Sequence, residues 1–135
     1  MARGGKSSRL MRRSFVGFAV AIAAIGLFAG GLAWLLDTPA PPPGASRGQR
    51  IYYALCVSCH GVTGQGSWRA TLFLVRPGDL SDPVRLHAVS DQYLLDLIKN
   101  GGAPIGRPGM PAFGTALTAD QIRELVQYIR SLSTR

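Results

Sequence analysis

From Ser14 to Leu36 the chain reads SFVGFAVAIAAIGLFAGGLAWLL, 23 residues without a charge, of which 18 are apolar. As a helix this run rises roughly 34 Å at about 1.5 Å per residue, enough to cross a hydrocarbon core of about 30 Å. The next ten residues, DTPAPPPGAS at 37–46, hold four prolines and predict an extended connector of roughly 30 Å at about 3.1 Å per residue. Two amphipathic helices follow further on. One covers 91–99 (DQYLLDLIK) and stops at Asn100-Gly101-Gly102, a plausible C-cap. The other lies within 117–132 (LTADQIRELVQYIRSL), where Thr118 and Gln121 have the spacing of a capping box. Ile122, Leu125, Val126 and Ile129 then form one apolar stripe, with Arg123, Gln127 and Arg130 opposite.

This pattern divides the 135 residues into a basic segment (1–13), an apolar anchor (14–36), a linker (37–46) and one small domain (47–135). An 89-residue domain has a marginal unaided core, and no second folded domain fits. The net charge of +8 is unevenly placed: Arg3, Lys6, Arg9, Arg12 and Arg13 precede the apolar run. The domain itself has ten basic and six acidic groups, a net +4, with no basic helix or zinc-finger spacing. Nucleic acid is therefore not an expected partner.

Basic residues before an apolar span stay on the cytoplasmic side, so the domain is expected beyond the membrane, with Trp34 at the far interface. The rival is a cleaved signal peptide. Its best cleavage point, Gly31-Leu32-Ala33, falls inside the apolar run, and the prolines from Pro39 to Pro43 disfavour cleavage downstream. A retained anchor is the preferred reading. Arg12-Arg13-Ser14-Phe15-Val16 resembles a twin-arginine signal, although an ordinary basic lead-in explains it as well. Gly26 and Gly30 form a G-x-x-x-G step, common both in paired membrane helices and in single anchors.

The only two cysteines, Cys56 and Cys59, stand three apart with His60 directly after them. Such a pair cannot build a disulfide framework and is read as a site. Cys-Val-Ser-Cys-His has the spacing of c-type haem attachment: two thiols on one helical turn form thioethers with the vinyl groups, and the adjacent imidazole reaches the iron. A thioredoxin-like pair would follow a strand, and none is patterned before Cys56. A zinc site would need a fourth ligand, for which only His87 is on offer. A sixth iron ligand is sought elsewhere. Met1 and Met11 precede the membrane segment and fall on its far side from the domain, whereas Met110 sits in RPGMPAFG (107–114), where proline and glycine fix an irregular loop. Met110 is the expected axial ligand, and His87, just before a helix, is the weaker rival.

On these motifs the chain resembles the class I cytochromes c over residues 47–135. Gly48, Tyr52 and Cys56 are spaced as in that family's first helix, GMPAFG at 109–114 matches its methionine segment, and 117–132 its closing helix. Leu125 and Tyr128 fall where the closing helix meets the glycine of the first. The resemblance implies an all-α, cytochrome c-like fold of short helices around one covalent haem c, preceded by a single transmembrane helix. It also implies a proline whose carbonyl accepts the second ring N–H of the proximal histidine, with Pro77 the first counterpart and Pro83 the second. Trp68, Arg69 and Arg107 are weaker candidates for contacts to the haem propionates, and Tyr93 is assigned to the core.

The expected function is one-electron transfer by a tethered carrier between respiratory or photosynthetic partners, without a small-molecule substrate and without catalysis of its own. The alternative is a fixed cytochrome subunit of a membrane dehydrogenase or reductase complex. A haem gas sensor or peroxidatic protein would need an open sixth position. The expected setting is a bacterial cytoplasmic membrane, with the N-terminus inside, the haem domain on the periplasmic side, and redox proteins or membrane redox complexes as partners.

Overall fold

The computed structural model describes the backbone of residues 4–134 and the side chains of residues 11–134. Met1 and Arg3 of the basic segment lie outside the described residues, as do the side chains of Lys6 and Arg9. Helix α1 spans Gly4–Leu36, so it runs back beyond the apolar stretch into the basic segment. Its Met11–Leu36 portion is long and apolar enough to cross a membrane. This helix is one compact unit, and residues from Thr38 onward form a second.

In the second unit the Pro-rich run does not stay extended to its end. Ala45 N–H donates to the Pro42 carbonyl (3.1 Å), and Gly44 takes φ +75°, a conformation that closes the turn at little cost only for glycine. Ala45 is buried, and Ser46 then caps α2 (Arg47–Leu55) by accepting from Gln49 N–H at 3.1 Å. The remaining helices are α3 (Val57–His60), α4 (Trp68–Leu72), α5 (Pro83–His87), α6 (Asp91–Asn100) and α7 (Ala119–Leu132), with a short 3₁₀ turn at Ala103–Ile105. There is no β-strand among the described residues. The all-α expectation holds.

The core is organised on α7. The capping box at Thr118 forms in both directions, with Gln121 N–H donating to Thr118 Oγ1 (3.3 Å) and Thr118 N–H to Gln121 Oε1 (2.8 Å). The predicted stripe of Ile122, Leu125, Val126 and Ile129 is buried, joined by Tyr128 and Leu132. Leu125 and Tyr52 of α2 are the large side chains with no exposed surface. Helices α2 and α7 cross at Gly48, where an added Cβ would lie 2.0 Å from the Glu124 carbonyl oxygen. Only glycine admits that backbone contact. The Tyr52 ring tilts against Tyr128 with centroids 5.2 Å apart, and its hydroxyl donates to the Gly61 carbonyl at 2.7 Å.

Arg130 departs from expectation. Placed by pattern on the solvent side of α7, it instead folds back, and its side chain is only 26% exposed. Its guanidinium donates to Asp91 Oδ1 (2.8 Å), to the Val89 carbonyl (2.7 Å) and to the Leu86 carbonyl. One side chain thus ties the closing helix to the junction of α5 and α6, where backbone carbonyls have run out of helical partners.

Candidate functional site

Helix α2 ends at Leu55, and Cys56 (φ −113°, ψ −32°) caps it and leads into the separate turn of α3. His60 N–H donates to Cys56 O at 2.8 Å and Cys59 N–H at 3.1 Å, so the whole CVSCH segment is one tight turn. The following loop doubles back over it: Gly66 N–H donates to His60 O (2.8 Å) and Ser67 N–H to Cys59 O (2.9 Å). Gly61 (φ +74°) makes this reversal, and a Cβ there would meet the Gly66 carbonyl oxygen at 2.6 Å.

Met110 is held by a different device. Two of the four residues after it are hydrogen-bonded to the end of α6, where Phe113 N–H donates to Ile98 O and Gly114 N–H to Lys99 O, each at 3.0 Å. Gly102 N–H donates to Met110 O (2.9 Å), and Met110 N–H to Arg107 O (3.1 Å). The fit is too close for side chains. A Cβ at Gly102 would lie 2.1 Å from Arg107 O, and one at Gly114 would lie 2.9 Å from Lys99 O. The glycines that end α6 therefore also seat the methionine loop.

Cys56, Cys59, His60 and Met110 line one cavity of about 550 Å³. That volume falls in the roughly 300–1,000 Å³ range of cofactor pockets. The rest of the wall is mainly apolar, including Leu74, Leu86, Leu94, Leu97, Ile98, Phe113 and Ile129. Leu74 is the only non-glycine described residue with positive φ (+58°), and its side chain is 92% exposed although it lines the cavity. A left-handed leucine costs about 1–2 kcal/mol. An apolar ring in the cavity would cover this side chain, so the residue's strain and exposure fit a large flat apolar group. Two thiols on one turn, an imidazole beside them and a thioether on another loop fit a haem.

The imidazole is prepared for a ligand's role. His60 Nδ1 lies 3.2 Å from the Gly78 carbonyl oxygen, which can only accept, so Nδ1 carries the proton and Nε2 keeps its lone pair. Burial lowers the pKa of His60, and the bond to Gly78 opposes part of that shift. The accepting carbonyl belongs to Gly78, one residue beyond the expected Pro77. Pro77 itself lines the cavity, and Pro83 begins α5. The Cys56 thiol is pushed up to about 12, first by burial and then by Cys59. Such a thiol stays protonated at neutral pH, unlike the activated cysteine of a disulfide oxidoreductase. Among the described residues no cluster of three His, Cys, Asp or Glu side chains is arranged to hold a metal ion by itself.

Several other expectations shift. Trp68 and Arg69 are not in the cavity wall, and the Arg69 guanidinium lies 5.4 Å from the Trp68 ring centroid. Tyr93 does line the wall and is 41% exposed, so it is not the core residue expected. Its helical position faces the cavity, which only a bound group would turn into interior. His87 is exposed at the end of α5 and is not among the lining residues. Arg107 is at the cavity, together with Arg76, Asp79 and Arg85, which sequence reasoning did not single out. Arg76-Pro77 was the available signal, a cation immediately before the proline sought as the histidine's partner.

Residues 43–129 match the sequence family described as cytochrome c oxidase, cbb3-type, subunit III. The chain belongs to that family. Within the family it is similar to the cbb3-type cytochrome c oxidase subunit FixP of Azorhizobium caulinodans, with 29% identity over 94 residues, 70% of this chain and 29% of that protein. The FixP subunit of Bradyrhizobium diazoefficiens is 28% identical over 88 residues, 65% of this chain and 27% of that one. The chain thus spans under a third of the length of these relatives. Among solved structures, the chain is similar to the KustC0563 c-type cytochrome, which superposes with a TM-score of 0.54 at 25% identity, covering 63% of this chain and 95% of that one. The subunit III match and this neighbour bear out the class I cytochrome c resemblance, and the anchor helix makes the chain a membrane-anchored c-type cytochrome.

Proposed function

We propose that this chain is a one-electron carrier holding a single haem c, bound through thioethers at Cys56 and Cys59, with His60 and Met110 as the axial ligands. The observation that carries the reading is the convergence of the CVSCH turn and the separate Met110 loop on one apolar cavity. When bound, the haem supplies a ferric/ferrous couple, and histidine–methionine ligation favours the reduced form. The chain's own residues do the rest. The Gly78 carbonyl orients His60 and strengthens its ring as a donor. The apolar wall keeps water from the ring, which limits reorganisation as the charge changes. The hydrogen-bonded loop 107–114 retains Met110, so both axial positions are filled and no substrate reaches the metal. The chain is in this reading a carrier and not an enzyme.

The anchor at 14–36 leaves the basic segment in the cytoplasm and holds the domain of residues 47–135 on the periplasmic face of a bacterial cytoplasmic membrane. The partners are other redox proteins or a membrane redox complex. The FixP relatives, named as subunits of cbb3-type oxidases, support the second kind. Optical spectra of the detergent-extracted protein test the reading. The ferric protein should show the weak red band of iron bonded to methionine sulfur, and Met110→Ala should abolish it. A high-spin ferric spectrum, or ready carbon monoxide binding by the reduced wild type, would point to an open site and to sensing or peroxidatic chemistry instead.

A further inference from the structure

The exposed apolar side chains of the domain fall into two groups. Leu55, Leu74, Tyr93 and Ile105 line the cavity, whose occupant would cover them. Trp68, Leu72 and Phe73 do not line it, yet they are 51%, 58% and 70% exposed. An occupant of the cavity leaves these three in water. Val84, between Pro83 and Arg85, is exposed as well, but a single apolar residue at the surface is ordinary. Three large ones within six residues call for a partner.

The patch is built locally. Trp68 and Leu72 stand four apart on α4 and so share a face, while Ala70 between them is buried. The helix ends in a tight reversal, with Leu74 N–H donating to Thr71 O (3.0 Å) and Val75 N–H to Ala70 O (2.8 Å). With those bonds made, Thr71 to Leu74 are all exposed. Charge and chain length then say what covers the patch. From Gly61 to Gly78 there is no acid, and Arg69 and Arg76 are the charged residues. The Arg69 guanidinium lies 5.4 Å from the Trp68 ring centroid. Tryptophan, leucine and phenylalanine beside arginine are the composition of segments that lie in the headgroup region of an anionic bilayer. Such a surface is always within reach. Helix α1 ends at Leu36 and the turn closed by Ala45 on Pro42 follows, so residues 37–41 are the whole connection. Fully extended, they span at most about 18 Å.

We propose that Trp68, Leu72 and Phe73 dock the domain on the anionic phospholipid surface of the membrane that anchors it. The three side chains bury their apolar area at the acyl boundary, and Arg69 and Arg76 supply the positive charge that lipid phosphates attract. The inference needs the anchor, and it holds whatever occupies the cavity.

The test uses the full-length, haem-loaded protein, one chain per nanodisc of phosphatidylcholine and phosphatidylglycerol. With Cys56 and Cys59 spent on thioethers, a nitroxide on Phe73→Cys is the single label, read in the reduced protein. The ratio of its relaxation by oxygen to that by a water-soluble nickel chelate should be severalfold higher than for a label on Val84→Cys. Adding Leu72→Ser should bring the ratio down toward the Val84 value. Equal ratios at positions 73 and 84 would overturn the docking. So would a label at 73 that is shielded only when a second copy or a purified redox protein is added, which would assign the patch to protein. Should the variants fail to fold, wild type is decisive by itself. In nanodiscs holding a phospholipid with a diazirine on its acyl chain, the photolabel should attach within residues 68–74 and not within α5, and its absence from 68–74 would overturn the proposal. Covalent haem is read from the optical spectrum before either measurement, so failure of the functional reading shows there and failure of the docking shows in the labels.

Discussion

The crossing of α2 and α7 and the cavity beside it are built in opposite ways. At the crossing, side chains fill the space themselves: Tyr52 and Leu125 have no exposed surface, and Gly48 lets two backbones touch. Around the cavity, apolar groups such as Leu74, Tyr93 and Ile105 remain substantially exposed. The first region resembles any close-packed protein interior. The second is a half-core, complete only around something that is not protein. In a domain of this size the division is economical, because an apolar cofactor supplies interior that 89 residues cannot. The two regions meet at Leu86, Leu94, Ile98 and Ile129, which are buried in the core and also line the cavity.

Substitutions can break or sharpen that contrast. Gly48→Ala should have the largest effect on stability, about 3 kcal/mol or more, since the new Cβ meets a backbone carbonyl that cannot rotate away. The urea midpoint should fall while the methionine–iron band persists in the protein that remains folded; loss of the band first would blur the two regions. Arg130→Ala should cost about 2–3 kcal/mol, because Leu86 and Val89 carbonyls lose a charged donor. Lysine at that position should recover less than half, as it cannot serve three acceptors from one plane. Tyr52→Phe removes the hydroxyl bond to Gly61 but keeps the ring, and about 1–2 kcal/mol should be lost in thermal unfolding. Arg47→Ala breaks an exposed pair with Glu124 and should change stability by less than about 0.5 kcal/mol. A large effect there would place an electrostatic term in a region described as steric.

The close-packed region was the more legible in the sequence. Thr118, Gln121 and the apolar stripe after them signal the start and the buried face of α7 through purely local spacing, and Gly48 could be paired with Leu125 and Tyr128 by resemblance. The site was legible wherever chemistry demands a fixed spacing, as at Cys56, Cys59 and His60. It was less so where a loop decides. Whether Pro77 or Gly78 offers its carbonyl depends on the path of the chain after Val75, and spacing cannot resolve a shift of one residue. Arg130 was missed because a long side chain on a polar flank can fold back onto carbonyls of another helix, which periodicity does not register. Tyr93 was misplaced because the cavity creates a third environment, neither core nor surface. The linker's final turn was hidden among prolines, and only Gly44 marked it.

The stitching of the methionine loop onto the end of α6 has a dynamic consequence. The amide hydrogens of Gly102, Phe113 and Gly114 are all spent on holding residues 107–114 against that helix or against one another. Lifting Met110 away from its seat releases all three to solvent at once, while α6 keeps its internal bonds. Deuterium uptake at these amides should therefore report one common opening free energy, higher than at the exposed 3₁₀ turn and lower than along α7. That opening gives an outside molecule one route to methionine's place.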